Sequence, residues 1–172
     1  MIRHPFAVAA SQLNHEAWGY DFQPFEIPSS PFNDFYKPHE SFLKSLKTKE
    51  EQLTALWCMT NNVVLHHPQN DQSWISINYE DLILNPQSSF QKIFNIWNLE
   101  IPPMLYKKMQ LPSSTTVGKK QIQAERLLAD WQQKLSKTQI DRLQNVLDHF
   151  GIISLAPVQV AQIISEYFGI VE

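Results

Sequence analysis

Trp74-Ile75-Ser76-Ile77-Asn78-Tyr79-Glu80-Asp81-Leu82, with Asn85-Pro86 close behind, is the stretch from which the fold is best read. Ile75 and Ile77 alternate with Ser76 and Asn78, the period of two expected of a strand with one buried face. Asn85 then offers a cap and Pro86 a first-turn proline, so a helix follows, with Phe90, Ile93, Phe94 and Trp97 inward. A strand feeding directly into a helix is the repeating step of α/β architecture.

Outward from this stretch the chain is mostly helical. Met1-Ile2 reads as the stub of a second strand, and Pro5 to Trp18 as a helix opened by a first-turn proline. Asn14 to Pro38 is crowded with Pro and aromatics, including Trp18, Tyr20, Phe22, Phe25, Phe32, Phe35 and Tyr36, and predicts an ordered loop. Lys49 to His66 has helical spacing, with Leu53, Leu56, Trp57, Thr60, Val63 and Val64 on one face. Further helices are expected from Pro102-Pro103 to about Met109, around Leu127, Leu128, Trp131 and Leu135, and from Ser136 to Gly151. The last of these carries Ile140, Leu143, Leu147 and Phe150 inward. A final helix runs from about Pro157 to Phe168, and Leu111 to Lys120 is a Ser/Thr-rich loop. One clear strand, one stub and six or seven helices predict a helix-rich α/β chain built on a partial parallel sheet.

Composition bounds the partners. At 172 residues the chain fits one domain with a core of its own. A formal net charge of -3 gives no footprint for a nucleic-acid polymer, yet permits a local basic pocket for a small phosphorylated ligand. Cys58 stands alone, which excludes an internal disulfide and a cysteine-based zinc site and suits a reducing, cytoplasmic compartment. No run of about 18 apolar residues suggests a membrane span, and the opening residues lack the order of a signal peptide.

Three segments carry chemistry. In Arg3-His4-Pro5-Phe6-Ala7-Val8-Ala9-Ala10-Ser11, Arg3 falls at a strand's C-terminal edge and Ser11 about two helical turns on. Ligands of parallel α/β layers bind at that edge, where a guanidinium fork and a hydroxyl suit a phosphate. The plainer alternative is an exposed arginine and a surface serine. In the second segment Tyr79 ends a strand and faces the same rim. Glu80 and Asp81 resemble an acid/base pair, but neighbours at a strand end point to different sides, and caps or helix-end partners are the favoured roles. The third, Ser113-Ser114-Thr115-Thr116-Val117-Gly118-Lys119-Lys120, has hydroxyls, a glycine and two lysines before a helix, and either folds over a phosphate or lies as a solvated loop. It is not a P-loop, since the Gly-x-x-x-x-Gly-Lys-Ser/Thr pattern is absent. Of the histidines, His4 fills the gap between Arg3 and Pro5, and His66-His67 ends a helix. His15, His39 and His149 stand at no metal or triad spacing and read as surface or capping residues.

In this order and spacing the segments resemble the PAPS-dependent sulfotransferase superfamily, whose fold is P-loop-like. The family has a strand ending in Arg-x-Pro with a Ser eight residues after the Arg, matched by Arg3 and Ser11, and a Tyr-Glu-Asp-Leu strand end followed by Asn-Pro, matched by Tyr79 to Leu82 and Asn85-Pro86. Val117-Gly118-Lys119-Lys120 and Trp131 look like its later basic loop and helix, without reproducing Arg-Lys-Gly. The match runs from Met1 to about Ile152.

The resemblance implies that Arg3 and Ser11 hold the 3'-phosphate of PAPS or PAP, that Tyr79 lies near the adenine, and that Gly118, Lys119 and Lys120 fold over the phosphate. It implies no metal. The family's 5'-phosphosulfate loop lies upstream of anything present, so the chain reads as a single sulfotransferase-like domain over 1–172, truncated at its N-terminus, with 153–172 as a helical extension. Catalytic residues are unassigned, and the acceptor is an unspecified hydroxyl or amine. The Asn14–Pro38 segment corresponds in position to acceptor contacts. Three readings stay open: a sulfotransferase keeping its 3'-phosphate and adenine half-site; a noncatalytic interaction module, with self-association or a partner covering an incomplete sheet; or an unrelated helical scaffold with no nucleotide site.

Overall fold

The computed structural model describes residues 1–13, 15, 23–70, 72–109 and 124–152. They fall into two compact units. Unit 1 takes Met1–Arg3 and Gln69–Asp130, and unit 2 takes His4–Pro68 and Trp131–Leu155. The expected loop over Leu111 to Lys120 and the helical extension over 153–172 lie outside the described residues.

Unit 2 is built around one central helix. Helix α1 spans Pro5–Leu13, α2 Glu40–Ser45 and α3 Lys49–Leu65. α3 packs against α1 on one side and on the other against α8, which spans Lys137–His149. The cause is visible in the side chains. Ala7, Ala9 and Ala10 give α1 a flat small-residue face, while α3 buries Leu53, Thr54, Ala55, Trp57, Cys58 and Met59. Leu143, Val146 and Leu147 close the core from α8, each at most 2% exposed. The buried arc of α3 is wider than its sequence face suggests and is rotated from it. Leu56 and Val64, expected inward, are 39% and 44% exposed, because two neighbouring helices cover more than one stripe. Glu50 on α3 forms an ion pair with Arg142 on α8 and is itself buried. Burial also pushes the Cys58 thiol up to about 12, so it stays protonated and inert at neutral pH.

Local signals start and stop these helices. Thr48 Oγ1 accepts from Glu51 N–H while the Glu51 carboxylate accepts from Thr48 N–H at 2.8 Å, a reciprocal capping box. Ser136 and Gln139 repeat it at the start of α8. At the other end of α8, Gly151 adopts φ +66°. Its N–H donates to Asp148 O and that of Ile152 to Leu147 O, both at 3.0 Å, the bond pair of a Schellman ending. Before α2, Pro31–His39 forms 3-10 turns, and Tyr36 Oη donates to Met59 O at 3.4 Å.

Unit 1 holds α4 (Tyr79–Leu84), α5 (Pro86–Ile96), α6 (Leu105–Met109) and the start of α7 (Ala124–Lys134). Its α4 and α5 pack together. Trp97, expected inward, is 57% exposed, because it follows the last turn of α5, where Asn98 takes φ 50° and redirects the chain.

The described residues are all-helical and contain no sheet, which overturns the expected α/β partial parallel sheet. What remains of it is isolated pairing, Ile2 with Asn78 and Asn70 with Trp74, both parallel. Residues 75–77 have no regular structure, and Ile75, Ser76, Ile77 and Asn78 are all half-buried, so the alternation in sequence is not an alternation in burial. A sheet needs a ladder of partner strands, and among the described residues this segment meets only a short one at Ile2. No helix among the described residues is long and apolar enough to cross a membrane.

A Cβ added at Gly151 meets no atom within 4 Å, so the backbone alone sets the penalty there. Gly151→Ala is expected to lower stability by about 1 kcal/mol in urea unfolding and Gly151→Asn by less. Equal stability of all three proteins would contradict a left-handed helix ending.

Candidate functional site

In unit 1 two distant segments meet through the backbone. Ile2 N–H donates to Ile77 O at 2.8 Å, and Tyr79 N–H donates to Ile2 O at 2.6 Å. The pairing is parallel, so Met1–Arg3 and Ile77–Tyr79 run the same way and end at the same edge. Ile2 is buried, which fixes the register. One residue beyond the bond, the Arg3 guanidinium carbon lies 5.0 Å from the centroid of the Tyr79 ring. Such a stack is worth about 0.5–1 kcal/mol when exposed and more when desolvated. Nε of Arg3 is buried with no hydrogen-bond partner among the described residues.

Tyr79 is the first residue of α4 rather than the last of a strand, with Asn78 in extended backbone as its N-cap. The neighbouring polar groups hold this turn together. Asn78 Nδ2 donates to the Asp81 carboxylate at 3.1 Å, and Asn85 N–H and Ser89 Oγ donate to the Asp81 carbonyl at 2.8 and 3.2 Å. Asp81 thus stitches the start of α4 to α5. Glu80 is buried.

Of the residues singled out in the sequence, Arg3 and Tyr79 are brought together. Ser11 lies on α1 in unit 2, where it is exposed. Gly118, Lys119 and Lys120 lie outside the described residues. The Asn14–Pro38 segment contributes Gln23–Glu26 to an open cavity of about 190 Å³, whose other wall is Lys49, Gln52, Leu53 and Leu56 of α3. Gln52 Nε2 donates to Gln23 O across it.

His4, between Arg3 and Pro5, is held on several sides in unit 2. Its Nδ1 accepts from Phe6 N–H at 3.2 Å, capping the first turn of α1. Its ring stacks on Trp131, with centroids 5.1 Å apart and planes 11° apart, and meets the Phe6 ring edge-on at 5.1 Å. Burial pushes its pKa down to about 4. The sequence signal, a histidine two residues before an aromatic at a helix start, is weak by itself. Its partner Trp131 is 127 positions away.

Above about 6.5 His4 is neutral in both folded and unfolded chains, and its stabilisation is fully present. As pH falls, the unfolded chain takes up the proton near 6.5 while the folded chain resists to about 4, so stability drops across that window, by on the order of 3 kcal/mol at the limit. His4→Asn keeps an acceptor for Phe6 N–H without titrating there. The stability advantage of the parent over this variant should shrink between pH 7 and pH 4.5. A pH-independent difference in urea unfolding would refute the assignment.

Compared with protein-family models, curated proteins and solved structures, the chain matches none of them.

Proposed function

We propose that this chain binds the 3'-phosphate and adenine end of a PAPS-type nucleotide, with Arg3 as the phosphate ligand and Tyr79 beside the base. The observation that carries this is the parallel pairing of Ile2 with Asn78, which sets the Arg3 guanidinium over the Tyr79 ring. The two residues lie 76 positions apart in the sequence and meet through this pairing.

The donor set fits the ligand. A guanidinium offers a planar fork of N–H donors, and a phosphate oxygen is an acceptor that suits it. Tyr79 adds a π-face for a base and a hydroxyl at its tip. The Gly118-Lys119-Lys120 loop joins this proposal through the family resemblance. When bound, PAPS supplies a sulfuryl group for transfer to a hydroxyl or amine. The part played by Arg3 and Tyr79 is orientation: gripping the nucleotide away from the reacting centre converts binding energy into alignment. The proposal needs no extended sheet, only the pairing at Ile2.

A noncatalytic interaction module is the second reading. It draws on a different observation: Ile96, Trp97, Leu99 and Met104 expose four large apolar side chains in nine residues. If that reading holds, the chain self-associates and Trp97→Ser with Leu99→Ser shifts it toward monomer in sedimentation. A parent that stays monomeric at high concentration would count against self-association.

Calorimetric titration tests the first reading. PAP should bind more tightly than 5'-AMP, which lacks the 3'-phosphate. Arg3→Ala should weaken PAP binding by roughly 10- to 100-fold. Tyr79→Ala should weaken it by about tenfold while Tyr79→Phe changes little. A folded parent that treats PAP and 5'-AMP alike, or an Arg3→Ala protein that binds PAP normally, would overturn the proposal.

A further inference from the structure

Folding joins two histidines 110 positions apart. His39 ends the 3-10 segment and caps α2, and His149 is the last residue of α8, both in unit 2. Nδ1 of His39 and Nε2 of His149 are 3.1 Å apart. Aromatic neighbours hold both rings. His149 lies flat on Phe42, with centroids 3.6 Å apart and planes 7° apart, and His39 is tilted against Phe150 at 4.6 Å. The two imidazoles meet nearly perpendicular, at 77°. His149 is exposed and His39 half-buried, so the facing nitrogens are open to solvent on one side.

At this separation the pair shares one hydrogen in an N–H···N bond. It is also the separation of two neighbouring ligands on one cation. Metal–imidazole bonds of about 2.0–2.1 Å whose ends are 3.1 Å apart subtend roughly 95–100°, close to the angle of a cis pair in a tetragonal or octahedral shell. We propose that His39 and His149 form a two-imidazole site for a divalent transition cation of the copper, nickel and zinc class.

Binding requires that the shared hydrogen move to the far nitrogen of its own ring, Nε2 of His39 or Nδ1 of His149. Both facing nitrogens then present lone pairs, and no net proton is lost from a neutral pair. Among the described residues no group of three or more His, Cys, Asp or Glu is placed around a common point, so water fills the remaining positions and the cation keeps an open face. Cu²⁺ is the strongest candidate by the general order of nitrogen-site affinities. Holding both ligands in place beforehand gives the second a high effective concentration. The adjacent His66-His67 pair is not equivalent: Nδ1 of His66 lies 3.0 Å from the backbone oxygen of Asn62.

The test is titration of the full chain with Cu²⁺, read by calorimetry and by the nitrogen hyperfine pattern in electron paramagnetic resonance. The parent should bind one equivalent with two imidazole nitrogens. His39→Gln and His149→Gln should each weaken binding by roughly tenfold or more with unchanged circular dichroism, and a His66→Gln/His67→Gln double variant should bind as the parent does. Parent-like copper affinity in His39→Gln and His149→Gln, or loss confined to the double variant, would overturn the assignment. Should His149→Gln disturb the Phe42 stack and the fold, His39→Gln alone carries the test.

Discussion

Burial of α3 on two sides is the constraint on which unit 2 depends. α1 and α8 pack against this helix, and the side chains it buries, from Leu53 to Met59, are nearly consecutive rather than spaced along one stripe. A helix covered on two sides must be apolar or small around much of its circumference, and Ala55 and Cys58, both fully buried, supply the close approach. The same demand explains why Glu50, buried on this helix, is paired with Arg142. Packing of α3 against α8 also brings the end of α8 to the α2 cap, where His39, Phe42, His149 and Phe150 cluster.

In unit 1 the corresponding constraint is smaller and more local. Two backbone hydrogen bonds at Ile2 hold the opening residues beside Ile77 and Tyr79. They are too few to make a sheet, yet enough to set register, because buried Ile2 cannot slip by one residue without exposing its side chain. Arg3 over Tyr79 is a consequence of that register, and the helix start at Tyr79, steadied by Asp81, keeps the ring in place.

Much of the local structure was legible from the residues. Pro86, Ser136 and Gly151 each mark a helix boundary through a bond or a dihedral that depends only on near neighbours. The expected strand at Trp74–Tyr79 failed for the opposite reason. Alternation over six residues states a preference, but a strand exists only through hydrogen bonds to a partner, and a short pattern is compatible with an irregular, evenly half-buried segment. The inward face assigned to α3 failed for a related reason, since which arc is buried depends on how many neighbours arrive.

The sequence by itself determined the starts of α1, α5 and α8, the end of α8, and that Cys58 has no disulfide partner within the chain, because proline placement, capping and residue chemistry act over a few positions. Tertiary structure alone decided that the described residues form no sheet, that Arg3 lies over the Tyr79 ring, that His4 stacks on Trp131, and that His39 meets His149. The last three join residues from 76 to 127 positions apart. Such contacts are set by which elements pack and in what register, and spacing along the chain carries no record of either.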